Sequence, residues 1–379
     1  MTSEEREAYQ RELRAAAKRL GLPAHGNLET ALLRHASEAI AALSSKCTPG
    51  NLSDLLEHAA TSLGLEIVEV HGDHDLKSLL ERIPPTREPA LARVRMELDD
   101  KTDAVVLQRQ NPEPWERRYL AVINCRSWHA HRRYFSKWHE LVHLLLEGRQ
   151  LRLEFRRTGV ERKHPEEILV DKVAGELAFY PPIFVPILLE ELAKDRRLTF
   201  AAIDRVRQRI APEASWHATL LAAVRHSPKP TYAIRAQLGL KKNEERQARD
   251  LLSTVTEPPA AKLRVKEASG NTAAEALGIR VHLNMEIPAD SIAAAAFEAA
   301  SSTLQTGDED LGLWRTSGGP IGEGRIGVEA LRRGDDLWCL LHFQSATTAG
   351  MVADRQKAPT RTKSTKVMPP KPLWGDDQG

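Results

Sequence analysis

Trp138-His139-Glu140-Leu141-Val142-His143-Leu144-Leu145-Leu146 is the stretch on which the reading of this chain turns. Its apolar residues recur at helical spacing, and residues four apart share one face of a helix. His139 and His143 therefore present two imidazoles to one point, with Glu140 beside the first of them. His-Glu-x-x-His on a helix suits a hydrolytic metal site. The histidines hold the ion, zinc lowers the pKa of its water to about 7, and the carboxylate takes the proton. The competing reading is an amphipathic core helix with two half-exposed histidines. Leu141, Val142, Leu144, Leu145 and Leu146 argue against it, because imidazoles and a carboxylate buried among them need a partner such as a metal.

A catalytic zinc takes three protein ligands and keeps one position open, so a third ligand is sought downstream. His164-Pro165-Glu166-Glu167 announces a helix, with Pro at its first position and acids in its first turn. Asp171 begins a face that Ala174, Leu177 and Ala178 continue, so an acid stands on an apolar, inward side, and metal ligation explains it. Glu167, one turn earlier, shares that face and is the alternative; its plainer reading is an acid stabilising the helix N-terminus. Glu176 falls off the face and reads as solvated.

The remainder of the 379 residues frames these two helices. Hydrophobic residues make up 41% and charged ones 28%, which supports real cores and excludes wholesale disorder. The length suggests two or three domains. Lys and Arg number 54 against 52 Asp and Glu, so no charge excess drives nucleic-acid or membrane binding. Cys47, Cys125 and Cys339 are too few for a disulfide framework and point to a reducing cytoplasm. No apolar run approaches the roughly 18 residues of a membrane span, and the N-terminus lacks the apolar core of a signal peptide.

Periodicity predicts helices over 3–20 and 28–45, and a third capped by Ser53 and stopped at Gly64. Strands are expected at 66–70, 103–110 and 117–125, and a helix over 132–147. The expected fold is α+β and helix-rich: N-terminal helices in 1–50, a metallopeptidase domain in 51–182, a helical segment in 183–255, and a smaller α+β domain in 262–345. The basic segment 346–379 is expected to be disordered.

The run Arg132-Arg133-Tyr134-Phe135-Ser136-Lys137 leading into the His139 helix, followed by Asp171-Lys172-Val173-Ala174-Gly175-Glu176-Leu177-Ala178, resembles the ImmA/IrrE family of metallo-endopeptidases over roughly residues 50–190. The resemblance implies a zincin-like domain holding Zn²⁺, with His139 and His143 as ligands, Asp171 at the third-ligand position and Glu140 as catalytic base. It implies a cytoplasmic enzyme that cuts one specific protein, commonly a helix-turn-helix transcriptional repressor, in a stress or mobile-element response. Some members carry a helix-turn-helix segment and a sensor-like domain resembling GAF, to which 183–252 and 262–345 would correspond. Two departures stand out: Val142 replaces the usual Gly between the histidines, and the acid is Asp where Glu is commoner.

Tyr134, His164 and Tyr180 are the candidate oxyanion donors beside the metal. Arg132 and Arg133 read as partners of acids, Cys125 as a strand-end core residue, and His129 and His131 as surface positions. Asp204–Arg209 and Tyr232–Lys242 are the candidate nucleic-acid segments, the second suiting a helix and turn, although a solvated basic helix face explains such runs as well. The basic tail is open to weak, salt-sensitive contact with phosphate or to a solubilising role. Beside the protease stands a second hypothesis, a non-proteolytic regulator that keeps the zincin fold and binds DNA or protein through 183–252.

Overall fold

Leu65–Val70 (β1), Thr102–Gln108 (β2), Tyr119–Asn124 (β3) and Glu154–Thr158 (β4) form a four-stranded sheet in the order β1-β3-β2-β4. β1 runs parallel to β3, while β2 is antiparallel to both β3 and β4. β3 is buried throughout and β2 at every position but Gln108, because alternate residues feed two cores. Ala104, Val106, Ala121 and Ile123 belong to the main core, whereas Val105, Leu107, Leu120 and Val122 belong to a smaller one. This computed structural model describes residues 3–343 apart from 24, 46–48, 85, 87, 92–93, 95–97, 99–101, 111, 148–153, 159–163, 242–243, 247–259, 300–302 and 317. Cys47 and the basic tail 346–379 lie outside the described residues.

Ser3–Arg19 (α1), Leu28–Ser44 (α2) and Leu52–Ser62 (α3) precede the sheet, and Asp73–Arg82 (α4) follows β1. The cap of α3 is Asn51 rather than Ser53: its Oδ1 accepts from the Asp54 N–H at 2.9 Å. Arg133–Glu147 (α5) and Pro165–Leu177 (α6) are the helices read as metal-bearing, and they pack against each other. Trp138, Leu141 and Val142 of α5 are each 0% exposed in the main core. Leu141→Ala leaves a cavity there, and denaturant unfolding should register a loss of about 2–5 kcal/mol. A loss below about 1 kcal/mol would contradict a packed α5 face.

The N-terminal helices share this core with α5 and α6. Glu29 Oε2 accepts from Tyr9 Oη at 3.0 Å and from Lys172 Nζ of α6 at 2.9 Å, joining α1, α2 and α6. Three more helices follow: Pro181–Asp195 (α7), Phe200–Ile210 (α8) and Trp216–His226 (α9). Thr199 and Ser215 cap the last two through their side-chain oxygens.

The helical expectation for 183–255 ends there, because Thr231–Gly239 (β5) is a strand. Tyr232, Ile234 and Ala236 enter the C-terminal core, while Arg235 on the other face meets Glu267 at 3.4 Å and Asp336 at 3.6 Å. That alternation has a period of two, and it removes Tyr232–Gly239 from any recognition helix. Lys262–Gly270 (β6), Leu304–Asp310 (β7), Arg325–Arg333 and Asp336–Phe343 complete an antiparallel five-stranded sheet. With the two-residue strands Arg315–Thr316 (β8) and Gly319–Pro320 (β9) between, the last two long strands are β10 and β11, and the order is β6-β5-β11-β10-β7. The C-terminal unit therefore begins near 231 and not at 262.

The basic run Asp204–Arg209 is tied down within the protein. Arg205 meets Glu191 and Asp195, each at 2.7 Å, and Arg209 meets Glu190 at 2.7 Å. No single helix among the described residues is long and apolar enough to cross a membrane.

Candidate metal centre

Helical spacing does for His139 and His143 what the motif requires: their Nε2 atoms stand 3.0 Å apart, both rings being within 1% of full burial. α6 brings two carboxylates to this pair. Glu167 Oε2 lies 3.0 Å from His139 Nε2, and Glu167 Oε1 lies 3.4 Å from His143 Nε2. Ligand atoms about 2.0–2.1 Å from a tetrahedral ion stand roughly 3.3 Å from one another, so these separations are those of three ligands around one ion. His139, His143 and Glu167 thus form a group that could hold a metal. Burial alone would raise the Glu167 carboxyl, but hydrogen bonds from His139 and His143 outweigh it and hold it well below the usual carboxylate range.

Asp171 is close to the pair but on the other side of a ring. Its Oδ1 lies 3.0 Å from His139 Nδ1, the nitrogen facing away from Glu167. A carboxylate there accepts a hydrogen bond from Nδ1–H, which leaves the Nε2 lone pair directed at the shared point and raises its basicity. The expectation that Asp171 supplies the third ligand is therefore corrected by geometry: the carboxylate that converges with both Nε2 atoms is Glu167, and Asp171 orients His139. Val142, between the two histidines, is buried in the main core.

Glu140 is 1% exposed on the same helix, adjacent to His139. None of the three candidate oxyanion donors has its side chain hydrogen-bonded to His139, His143 or Glu167 among the described residues. Tyr134 Oη donates to the Ala178 carbonyl at 2.6 Å, and burial pushes its pKa up, so its hydroxyl is committed to joining α5 to the end of α6. His164 is exposed at the start of α6, and Tyr180 is buried where α7 begins.

The approach to α5 is held by groups that sequence reading placed elsewhere. His129, expected at the surface, is 2% exposed with Nδ1 at 2.8 Å from Asp103 Oδ1, and Arg132 Nη1 is 3.2 Å from Asp103 Oδ2. These contacts tie the short helix Ser127–Arg132 to β2, and His131 stays exposed. Lys137 of α5 meets Glu69 of β1 at 2.5 Å and Glu213 at 2.8 Å. No neighbour in the chain marks the first, since Asp103 stands 26 residues before His129, and none marks the second.

Glu69, His71 and Cys125 also lie close together. Lys137 already answers the charge of Glu69, and burial with the nearby Glu69 pushes the Cys125 thiol up to about 12. Cys125 is thus the strand-end core residue expected, 4% exposed. It should resist iodoacetamide at pH 8 in the folded protein and react in urea; equal rates in both conditions would contradict this.

No protein-family model matches the chain, and no curated protein matches it.

Proposed function

We propose that this chain is a cytoplasmic zinc-dependent endopeptidase of ImmA/IrrE type, with a zincin-like domain around α5 and α6. The observation that carries this reading is the convergence of His139 Nε2, His143 Nε2 and the Glu167 carboxylate at 3.0–3.4 Å, with a buried glutamate one residue from the first histidine. Two imidazoles and one carboxylate are a donor set that suits zinc with an open position. Zinc bound there would supply Lewis-acid polarisation of a peptide carbonyl and a water acidic enough to be deprotonated near neutral pH.

The protein's own groups divide the remaining work. His139, His143 and Glu167 would hold the ion, and Asp171, accepting from Nδ1–H, would keep His139 in the tautomer that offers Nε2. Glu140 accepts the proton of the attacking water and returns it to the leaving nitrogen. The proposed substrate is a regulatory protein such as a helix-turn-helix repressor, and the five-stranded antiparallel sheet supports a GAF-like reading of the C-terminal unit.

The test is metal analysis of the purified chain together with co-expression of neighbouring repressors. About one zinc per chain and cleavage of one repressor, lost in Glu140→Gln, is the expected result. A downstream response that survives intact in Glu140→Gln would transfer the role to a non-proteolytic regulator.

A further inference from the structure

A cavity of about 580 Å³ lies between the turn that follows α7 and the C-terminal sheet, formed by elements other than α5 and α6. Its construction starts from a missing side chain. Gly327 of β10 pairs with His342 of β11 on one side and with Asp308 of β7 on the other, so the three share one face of the sheet. A Cβ at Gly327 would stand 3.1 Å from Arg197 Nη1 and 3.2 Å from Asp308 Oδ1. The bare strand is therefore a notch in which the Arg197 guanidinium lies.

Two more cations join it. Arg196 closes α7 in the left-handed region, at φ 61°, and its carbonyl accepts from Lys229 Nζ at 2.5 Å. That contact brings the Lys229 ammonium beside the turn. Asp195 also lines the cavity, but Arg205 Nη2 and Thr199 Oγ1 each hold its carboxylate at 2.7 Å. Among the described residues neither Arg196 nor Arg197 forms a close ion pair, although Asp308 and Glu329 lie near Arg197, so no carboxylate closes on either guanidinium.

His342 registers the same imbalance. Its Nε2 is buried with no hydrogen-bond partner among the described residues. Burial, then the positive Arg197 and Lys229, push its pKa down to about 4, so the ring is neutral at pH 7. An uncharged ring nitrogen, three cations and the apolar edges of Pro230 and Phe343 surround one space.

We propose that this cavity binds a phosphorylated small molecule, its phosphate held by Arg196, Arg197 and Lys229 and its organic part set against Pro230 and Phe343. Arginine forks match phosphate oxygens in pairs, and the volume is that of a site for a whole small molecule rather than for a lone oxyanion. Cations gathered around one half-open cavity favour such a ligand over a nucleic-acid backbone, which would track a stripe along the surface. The proposal is independent of the metal centre.

The test is calorimetric titration of the full chain with inorganic phosphate, AMP and adenosine at fixed ionic strength. Phosphate and AMP should bind and adenosine should not. Arg197→Gln and Lys229→Gln should each weaken AMP about ten-fold or more, while Lys77→Gln, an exposed control on α4, should leave it unchanged. Should Arg197→Gln fail to fold, the exposed Lys229→Gln decides alone. Failure of phosphate and AMP to bind at about 10 mM, adenosine binding as well as AMP, or binding indifferent to both variants would each overturn the proposal. So would a 20-base-pair DNA duplex that binds through Arg197 and Lys229 while AMP does not.

Discussion

Replacing Glu140 by Gln should lower cleavage of the partner protein by about 10²–10⁴ while leaving the zinc content at the wild-type level. The size of the loss is what general acid–base catalysis ordinarily contributes. The separation of the two effects follows from position. His139 and His143 direct Nε2 atoms to one point 3.0 Å from each other, and Glu167 fills the third place, so Glu140 is not required to hold the ion. An amide keeps the shape of the carboxylate in a site that is 1% exposed, and burying it uncharged carries a smaller desolvation penalty. Thermal stability should therefore be maintained or rise. His143→Ala should behave differently, losing zinc, activity and metal-linked stability together. Full cleavage by Glu140→Gln, or loss of zinc in that variant, would remove Glu140 from the role of base.

What was legible in the sequence was what is encoded locally. The His139–His143 face depends on a spacing of four along a single helix, and neighbours in the chain suffice to read it. Leu65–Val70 and Tyr119–Asn124 were recognisable as strands from their apolar runs, although their parallel pairing depends on what lies between them. Thr231–Gly239 was misread because Ala233, Ala236 and Leu240 recur at helical spacing, while Tyr232, Ile234 and Ala236 recur at the spacing of a pleat. The partner that decides in favour of the pleat, Leu337–His342, lies far down the chain. His129 was misread for the same reason, since Asp103, which buries it, arrives from another strand.

The roles of Glu167 and Asp171 turn on a quantity no local pattern contains, the distance between α5 and α6. Both acids lie on one face of α6, four residues apart. The longer side chain reaches past the ring edge to both Nε2 atoms; the shorter one, a turn on, reaches only Nδ1 of His139. Opposite expectations follow for their removal. A zinc site worth about 10–16 kcal/mol over four ligands gives roughly 3 kcal/mol to each, so Glu167→Ala should weaken zinc about 10²–10³-fold. Asp171→Asn should keep one zinc per chain at saturation and weaken it about 10–100-fold, the usual effect of losing a carboxylate that orients a ligating histidine. Competition against a chelator measures both, and thermal shifts give an independent scale. At zinc 100 times the wild-type Kd the metal adds about 2.7 kcal/mol of stability, which a 100-fold weaker variant reduces to about 0.4 kcal/mol. The ordering carries the argument: if Asp171→Asn loses the metal and Glu167→Ala retains it, Asp171 is the third ligand and the separation between α5 and α6 must be smaller than these distances imply.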